Sequence, residues 1–141
     1  MANAPTSFMI DRAMQRVRTL GLVYVLLGVI ELAWALFCVF GGALLGLAGF
    51  ADDRLGPVMW LGGGAYVLLA LAAAIMGTVH VVAGGLLRRG RGMIAAIVGL
   101  AACLPSMVLA LYCFPFSLGA LVYGIVVLLD ADARRQLDAG P

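Results

Sequence analysis

Four long apolar stretches, divided by short polar breaks, take up most of the 141 residues. A helix needs about 20 apolar residues to cross a bilayer. The pattern therefore predicts an all-α membrane protein, with four transmembrane helices forming two antiparallel hairpins. The expected spans are residues 20–50, 58–87, 93–113 and 115–129, preceded by segment 1–19 and followed by a tail, 130–141. Pro5, Thr6 and Ser7 suit a helix start. Phe8, Ile10, Met14 and Val17 then recur at helical spacing, opposed by Asp11, Arg12, Gln15 and Arg16. That pattern predicts a short N-terminal amphipathic helix in the interface, with a plain extension of the first span as the alternative. The tail, with Asp130, Asp132, Arg134, Arg135 and Gln136, is expected to be a short helix.

The breaks differ in kind. Asp52 to Pro57 reads as a tight outer turn, with Trp60 placed for the membrane interface, and Arg88 to Gly92 reads as an inner turn. The turn from Tyr112 to Ser117 carries no charge, so it is expected to stay at the membrane surface, anchored by its aromatics. Pro105 should kink the third span, because proline removes a backbone bond and crowds the preceding turn. Spans one and two are also longer than the second pair. They must tilt, or project on the outer side and leave Leu44, Leu45, Leu47, Phe50 and Leu61 uncovered, which would invite a partner subunit.

Charge fixes the expected orientation. Eight of the nine basic residues, all arginines, lie in the N-terminal segment, in the middle break or in the tail: Arg12, Arg16, Arg18, Arg88, Arg89, Arg91, Arg134 and Arg135. The two remaining breaks hold only Arg54. By the positive-inside rule both termini are cytoplasmic. Abundant Ala, Gly and Leu without lysine point to a GC-rich bacterial genome, and hence to the inner membrane. The net charge of +2 is not a nucleic-acid signal, since its arginines sit beside anionic headgroups. Charged residues are 11% of the chain and hydrophobic ones 65%, which leaves no room for a soluble catalytic domain. Segment 1–19 is of mixed polarity and no small-residue cleavage site ends the first span, so that span is expected to stay.

Helices in lipid associate through close packing and polar contacts, and small residues mark the seams. Gly21, Gly28, Ala35 and Gly42 recur every seven residues in span one, where Gly42 and Gly46 also form GxxxG. Gly63, Ala70, Gly77 and Gly84 repeat the design in span two, and Gly92, Gly99 and Ser106 more weakly in span three. Three residues beyond these positions lie Tyr24, Glu31 and Cys38 in span one, and Tyr66, Ala73 and His80 in span two. The repeats predict that spans one and two pack as an antiparallel pair.

Glu31 is the one carboxylate inside a span, and His80 is the chain's one histidine. By helical rise they stand at about 16 and 10 Å from the cytoplasmic face, about one turn apart. A Glu31–His80 contact flanked by Tyr24 is therefore expected. Two roles remain open for it: structural glue between helices, or proton or cation handling.

Other chemistry finds no support. The cysteines Cys38, Cys103 and Cys113 have no CxxC or Cys/His metal spacing, so no metal is expected, and Cys38 and Cys103 read as small buried residues. Haem would need a second histidine from another chain, so no cofactor is expected. Catalytic triads, paired carboxylates and phosphate loops are absent, and the reading is non-enzymatic.

Leu118 to Leu129 followed by Asp130, Arg134 and Arg135 resembles the ending of many small, uncharacterised four-span bacterial membrane proteins. Gly84 to Arg89, before a third span with Pro105, fits the same group. The resemblance implies four membrane helices and no assigned chemistry. Tyr24 to Glu31 is also similar to the first span of small multidrug transporters, which carry a membrane-embedded glutamate there. This chain departs from them in its longer N-terminal segment and its one-sided arginines. The expected role is a structural or accessory subunit of a homo-oligomer or larger membrane complex, in contact with lipid and other subunits. The alternative is a small proton- or cation-linked transporter using Glu31.

Overall fold

The computed structural model describes residues 7–51, 54–89, 92–109 and 114–139. The expectations placed on Pro5, Thr6, Asp52, Asp53, Gly90, Arg91, Tyr112 and Cys113 lie outside these residues. Five helices follow in order: α1 (Ser7–Ala51), α2 (Gly56–Arg88), α3 (Met93–Leu109), α4 (Phe114–Leu129) and α5 (Ala131–Ala139). The protein is all-helical. Asp11–Ala51 of α1 and the whole of α2 are long and apolar enough to cross a membrane, whereas α3 and α4 are shorter apolar helices.

One expectation is corrected at the start of the chain. There is no separate N-terminal amphipathic helix, because α1 runs unbroken from Ser7 into the apolar stretch. Its inward positions stay in phase across the boundary: Ala13, Val17, Leu20, Tyr24 and Leu27 are all buried. No proline or turn sequence interrupts them, so the helix has no reason to stop.

The α1–α2 contact organises the molecule. Gly21 meets Gly84, Gly28 meets Gly77, Gly42 meets Gly63 and Gly49 meets Gly56. Each step of seven up α1 is matched by seven back along α2, so the helices are antiparallel. The same register sets Ala35 opposite Ala70, and both are buried. A Cβ on Gly28 would stand 2.5 Å from the Gly77 carbonyl oxygen, and one on Gly21 would stand 2.8 Å from that of Gly84. On Gly42 the gap to the Gly63 oxygen is 3.1 Å, so the seam loosens toward the α1–α2 turn. Gly46 differs from the others, since a Cβ there would meet nothing within 4 Å.

Three residues beyond the seam runs a second row. Tyr24, Glu31 and Cys38 on α1, with Ala73, His80 and Leu87 on α2, are all buried; Tyr24 and Leu87 share the core with residues of α3 and α4, and His80 lies beside Cys103 of α3. Tyr24 lies in the middle of that core. A Cβ on Gly99 of α3 would run into its ring, and one on Gly124 of α4 would come within 3.1 Å of its hydroxyl oxygen. That hydroxyl donates to the Ala96 carbonyl at 3.3 Å. Pro105 lies inside α3, where it removes the N–H that would bond Ala101.

The short helices gather at one end of the pair. Val17, Leu20, Leu87, Ala96, Val127, Ala133 and Leu137 share a single core cluster. By helical rise α1 is about 67 Å long and α2 about 50 Å, against about 25 Å for α3 and α4. The far part of the pair therefore stands clear, with Leu44, Leu47, Phe50, Val58 and Leu61 exposed.

The tail does not hang free. Asp130 caps α5 by accepting from the backbone N–H groups of Asp132 at 3.0 Å and Ala133 at 3.3 Å. Its other oxygen pairs with Arg16 of α1. The Ala133 N–H, opposed by burial and helped by the Asp132 N–H and the Arg16 guanidinium, holds the Asp130 carboxyl below the usual carboxylate range.

Because Gly77 is squeezed and Gly46 is not, Gly77→Val should cost about 2 kcal/mol or more of unfolding stability in detergent. Gly46→Ala should leave stability within about 0.5 kcal/mol or raise it, since alanine restricts the unfolded chain. Equal losses in thermal melts of the two variants would contradict the seam.

Candidate functional site

Glu31, His80, Tyr24 and Cys103 meet where α1, α2 and α3 converge, and each is almost wholly buried. The seam positions them. Glu31 lies three residues beyond Gly28, and His80 three residues beyond Gly77, on chains running in opposite directions. The register therefore separates their Cα levels by about 9 Å, more than the single turn expected from sequence. Helical side chains lean toward their own N-terminus. In this antiparallel pair, Glu31 and His80 each lean back along their own helix, and so toward each other. His80 Nδ1 and Glu31 Oε2 end 2.7 Å apart.

The other imidazole nitrogen, Nε2, lies 3.5 Å from Cys103 Sγ. The thiol in turn donates to the Gly99 carbonyl at 3.3 Å. Tyr24 flanks the group, its ring centroid 5.8 Å from that of His80 at a tilt of 51°. Carboxyl, imidazole and thiol thus form one chain across three helices. Sequence reasoning missed Cys103, having read it as packing. The available signal was its place one turn beyond Gly99, the middle member of the weak third repeat.

Hydrogen positions matter here, and two arrangements that leave the unit without net charge fit the same heavy atoms. Glu31 is either a carboxylate accepting from Nδ1–H of an imidazolium, or a carboxylic acid whose Oε2–H donates to a neutral ring. In both, Nε2–H points to Sγ and the thiol to Gly99. The unit is neutral overall either way, which is how a carboxyl group can occupy so apolar a place. One atom is left over: Glu31 Oε1 is buried and has no hydrogen-bond partner among the described residues.

The packing residues singled out from sequence fall in two groups. Gly28, Ala35, Gly42, Gly77 and Gly84 lie on the α1–α2 seam, while the Cβ position of Gly46 faces open space. Cys38 and Cys103 are free thiols. Among the described residues no three His, Cys, Asp or Glu side chains are arranged to hold a metal ion.

No known protein family, curated protein or solved structure matches the chain. A carboxyl–imidazole–thiol order is the one that activates a nucleophilic cysteine. Here the Cys103 side chain is wholly enclosed and its proton is committed to a backbone oxygen. In this conformation the group can tie three helices together and shift a proton between Glu31 and His80, but it offers no surface to a substrate.

Removing one partner of a buried pair strands the other. Glu31→Leu and His80→Leu should each cost about 3 kcal/mol. The double variant should cost less than the two losses added together, since neither polar group remains to be stranded. Unfolding in detergent across this cycle measures the coupling, and strictly additive losses would mean that the two side chains do not interact.

Proposed function

We propose that this is a non-enzymatic, four-span protein of a bacterial inner membrane, with both termini in the cytoplasm. Its role is that of a structural or accessory subunit in a homo-oligomer or larger membrane complex. The observation that carries this reading is the apolar far end of the α1–α2 pair. A hydrocarbon core of about 30 Å measured upward from Leu20 ends near residue 40. Beyond it stand about ten further residues of each helix, with Leu47 67%, Phe50 72% and Leu61 76% exposed. Apolar surface of that kind outside lipid is stable only against protein. The arginines at the opposite end, among the described residues Arg12, Arg16, Arg18, Arg88, Arg89, Arg134 and Arg135, support the orientation.

The sealed Glu31–His80–Cys103 chain supports a structural role for the polar core, worth roughly 0.6–2 kcal/mol per hydrogen bond between membrane helices. One feature favours a second reading, a small proton- or cation-linked transporter. Glu31 Oε1 lacks a partner, and an intramembrane carboxyl group with a spare oxygen is a natural proton or ion post.

Native mass spectrometry of the chain in mild detergent separates these roles. An oligomer, or a defined complex with other subunits, is expected, and Leu47→Ser combined with Leu61→Ser should dissociate it. A monomer under all conditions would contradict the subunit reading. Proton-coupled flux in proteoliposomes that vanishes in Glu31→Gln would establish the transporter instead.

A further inference from the structure

At the arginine-rich end, a cleft of about 380 Å³ lies between α1 and α2, lined by Gln15, Arg18, Thr19, Leu22 and Arg88. Two guanidinium groups from different helices share it, and neither has an ion pair among the described residues. The contrast with Arg16 two residues earlier is direct, since Arg16 is paired with Asp130. The close seam also shapes this cleft. The aliphatic stem of Arg88 lies over Gly21, where a Cβ would stand 3.0 Å from its Cγ, so the missing side chain lets Arg88 cross onto α1. Two like charges brought to one cleft repel each other unless an anion lies between them. Paired guanidinium groups with a neighbouring side-chain amide, here that of Gln15, are the usual receptor for a phosphate; the Thr19 hydroxyl already donates to the Gln15 carbonyl at 2.9 Å.

The surface above the cleft defines what carries that phosphate. Gln15, Arg18 and Thr19 begin a face of α1 that continues through Leu22, Leu26 and Val29, all exposed. Along that face the helix changes from polar to wholly apolar within one turn. A free phosphate ion would use only the lower part, whereas a phospholipid uses both.

We propose that this cleft is a binding site for an anionic phospholipid, the phosphate held between Arg18 and Arg88 and an acyl chain laid along Leu22, Leu26 and Val29. The proposal rests on the membrane reading above, and beyond it assigns a specific headgroup contact. Bulk attraction between basic residues and an anionic leaflet falls off smoothly with total charge. A site depends on which arginines are present.

The test uses the full chain, released from nanodiscs of phosphatidylglycerol mixed with phosphatidylcholine into native mass spectrometry. One phosphatidylglycerol should remain bound under activation that strips phosphatidylcholine. Arg18→Gln with Arg88→Gln should reduce its retention at least about tenfold. Arg134→Gln with Arg135→Gln removes the same charge from α5 and should leave retention unchanged. Equal effects of the two double variants would overturn the site in favour of bulk charge. Inorganic phosphate that binds and displaces the lipid at millimolar concentration would overturn the lipid assignment. Carbonate extraction of cell membranes separates the two levels of the account. Release of the protein would defeat the membrane reading itself, whereas a protein that stays in the membrane yet retains no phosphatidylglycerol would defeat this site alone.

Discussion

The close approach of α1 to α2 is the constraint from which the rest of the structure follows. Two long apolar helices come this close only where their backbones fit together. Glycine and alanine every seven residues provide that fit on both helices, in one register from Gly21–Gly84 to Gly49–Gly56. A seven-residue repeat also fixes where the next row points. Positions three further along face the groove beside the seam, and the other helices dock there. The row of small residues sets the distance, and the row beside it carries Tyr24, Glu31 and His80.

The polar core is a consequence of that geometry. Neither Glu31 nor His80 is tolerable alone in so fully buried a place, and each needs the other within hydrogen-bond reach. The 2.7 Å contact exists because Gly28 and Gly77 bring the helices together and because side chains on antiparallel helices lean toward one another. Cys103 then ties the pair to α3, while Tyr24 fills the space that Gly99 and Gly124 leave open. The same feature at Gly21 lets Arg88 reach toward Arg18 at the charged end. One packing device thus supports both a sealed neutral cluster and an open cationic cleft.

Much of this was legible in sequence because it is periodic. Helical stretches follow from runs of apolar residues, and the small residues at seven-residue spacing named both faces of the seam. The Glu31–His80 contact followed because each residue occupies the equivalent place in its own repeat. What escaped lies between elements that no repeat connects. The place of Cys103 beside His80 depends on how α3 settles into the groove, a contact between residues 23 apart. The docking of α5 through Ala133 and Leu137 likewise depends on where α4 ends against α1. Gly46 takes a lesser part than its GxxxG spacing with Gly42 suggests: its own Cβ position is open, and its contact with α2 is through its backbone N, 3.5 Å from a Cβ built on Gly63. The continuity of α1 was hidden by a change in polarity that leaves the helical phase intact.

The register itself is the claim to test most directly, by oxidative cross-linking in a chain whose Cys38, Cys103 and Cys113 are replaced by serine. A disulfide needs Cα atoms within about 7 Å, a limit that only facing seam positions should meet. Ala35→Cys with Ala70→Cys should cross-link within one chain, seen as two thiols lost to alkylation, while Ala35→Cys with Ala74→Cys should not. Cross-linking to position 74 but not to position 70 would contradict the register and the Glu31–His80 contact that rests on it.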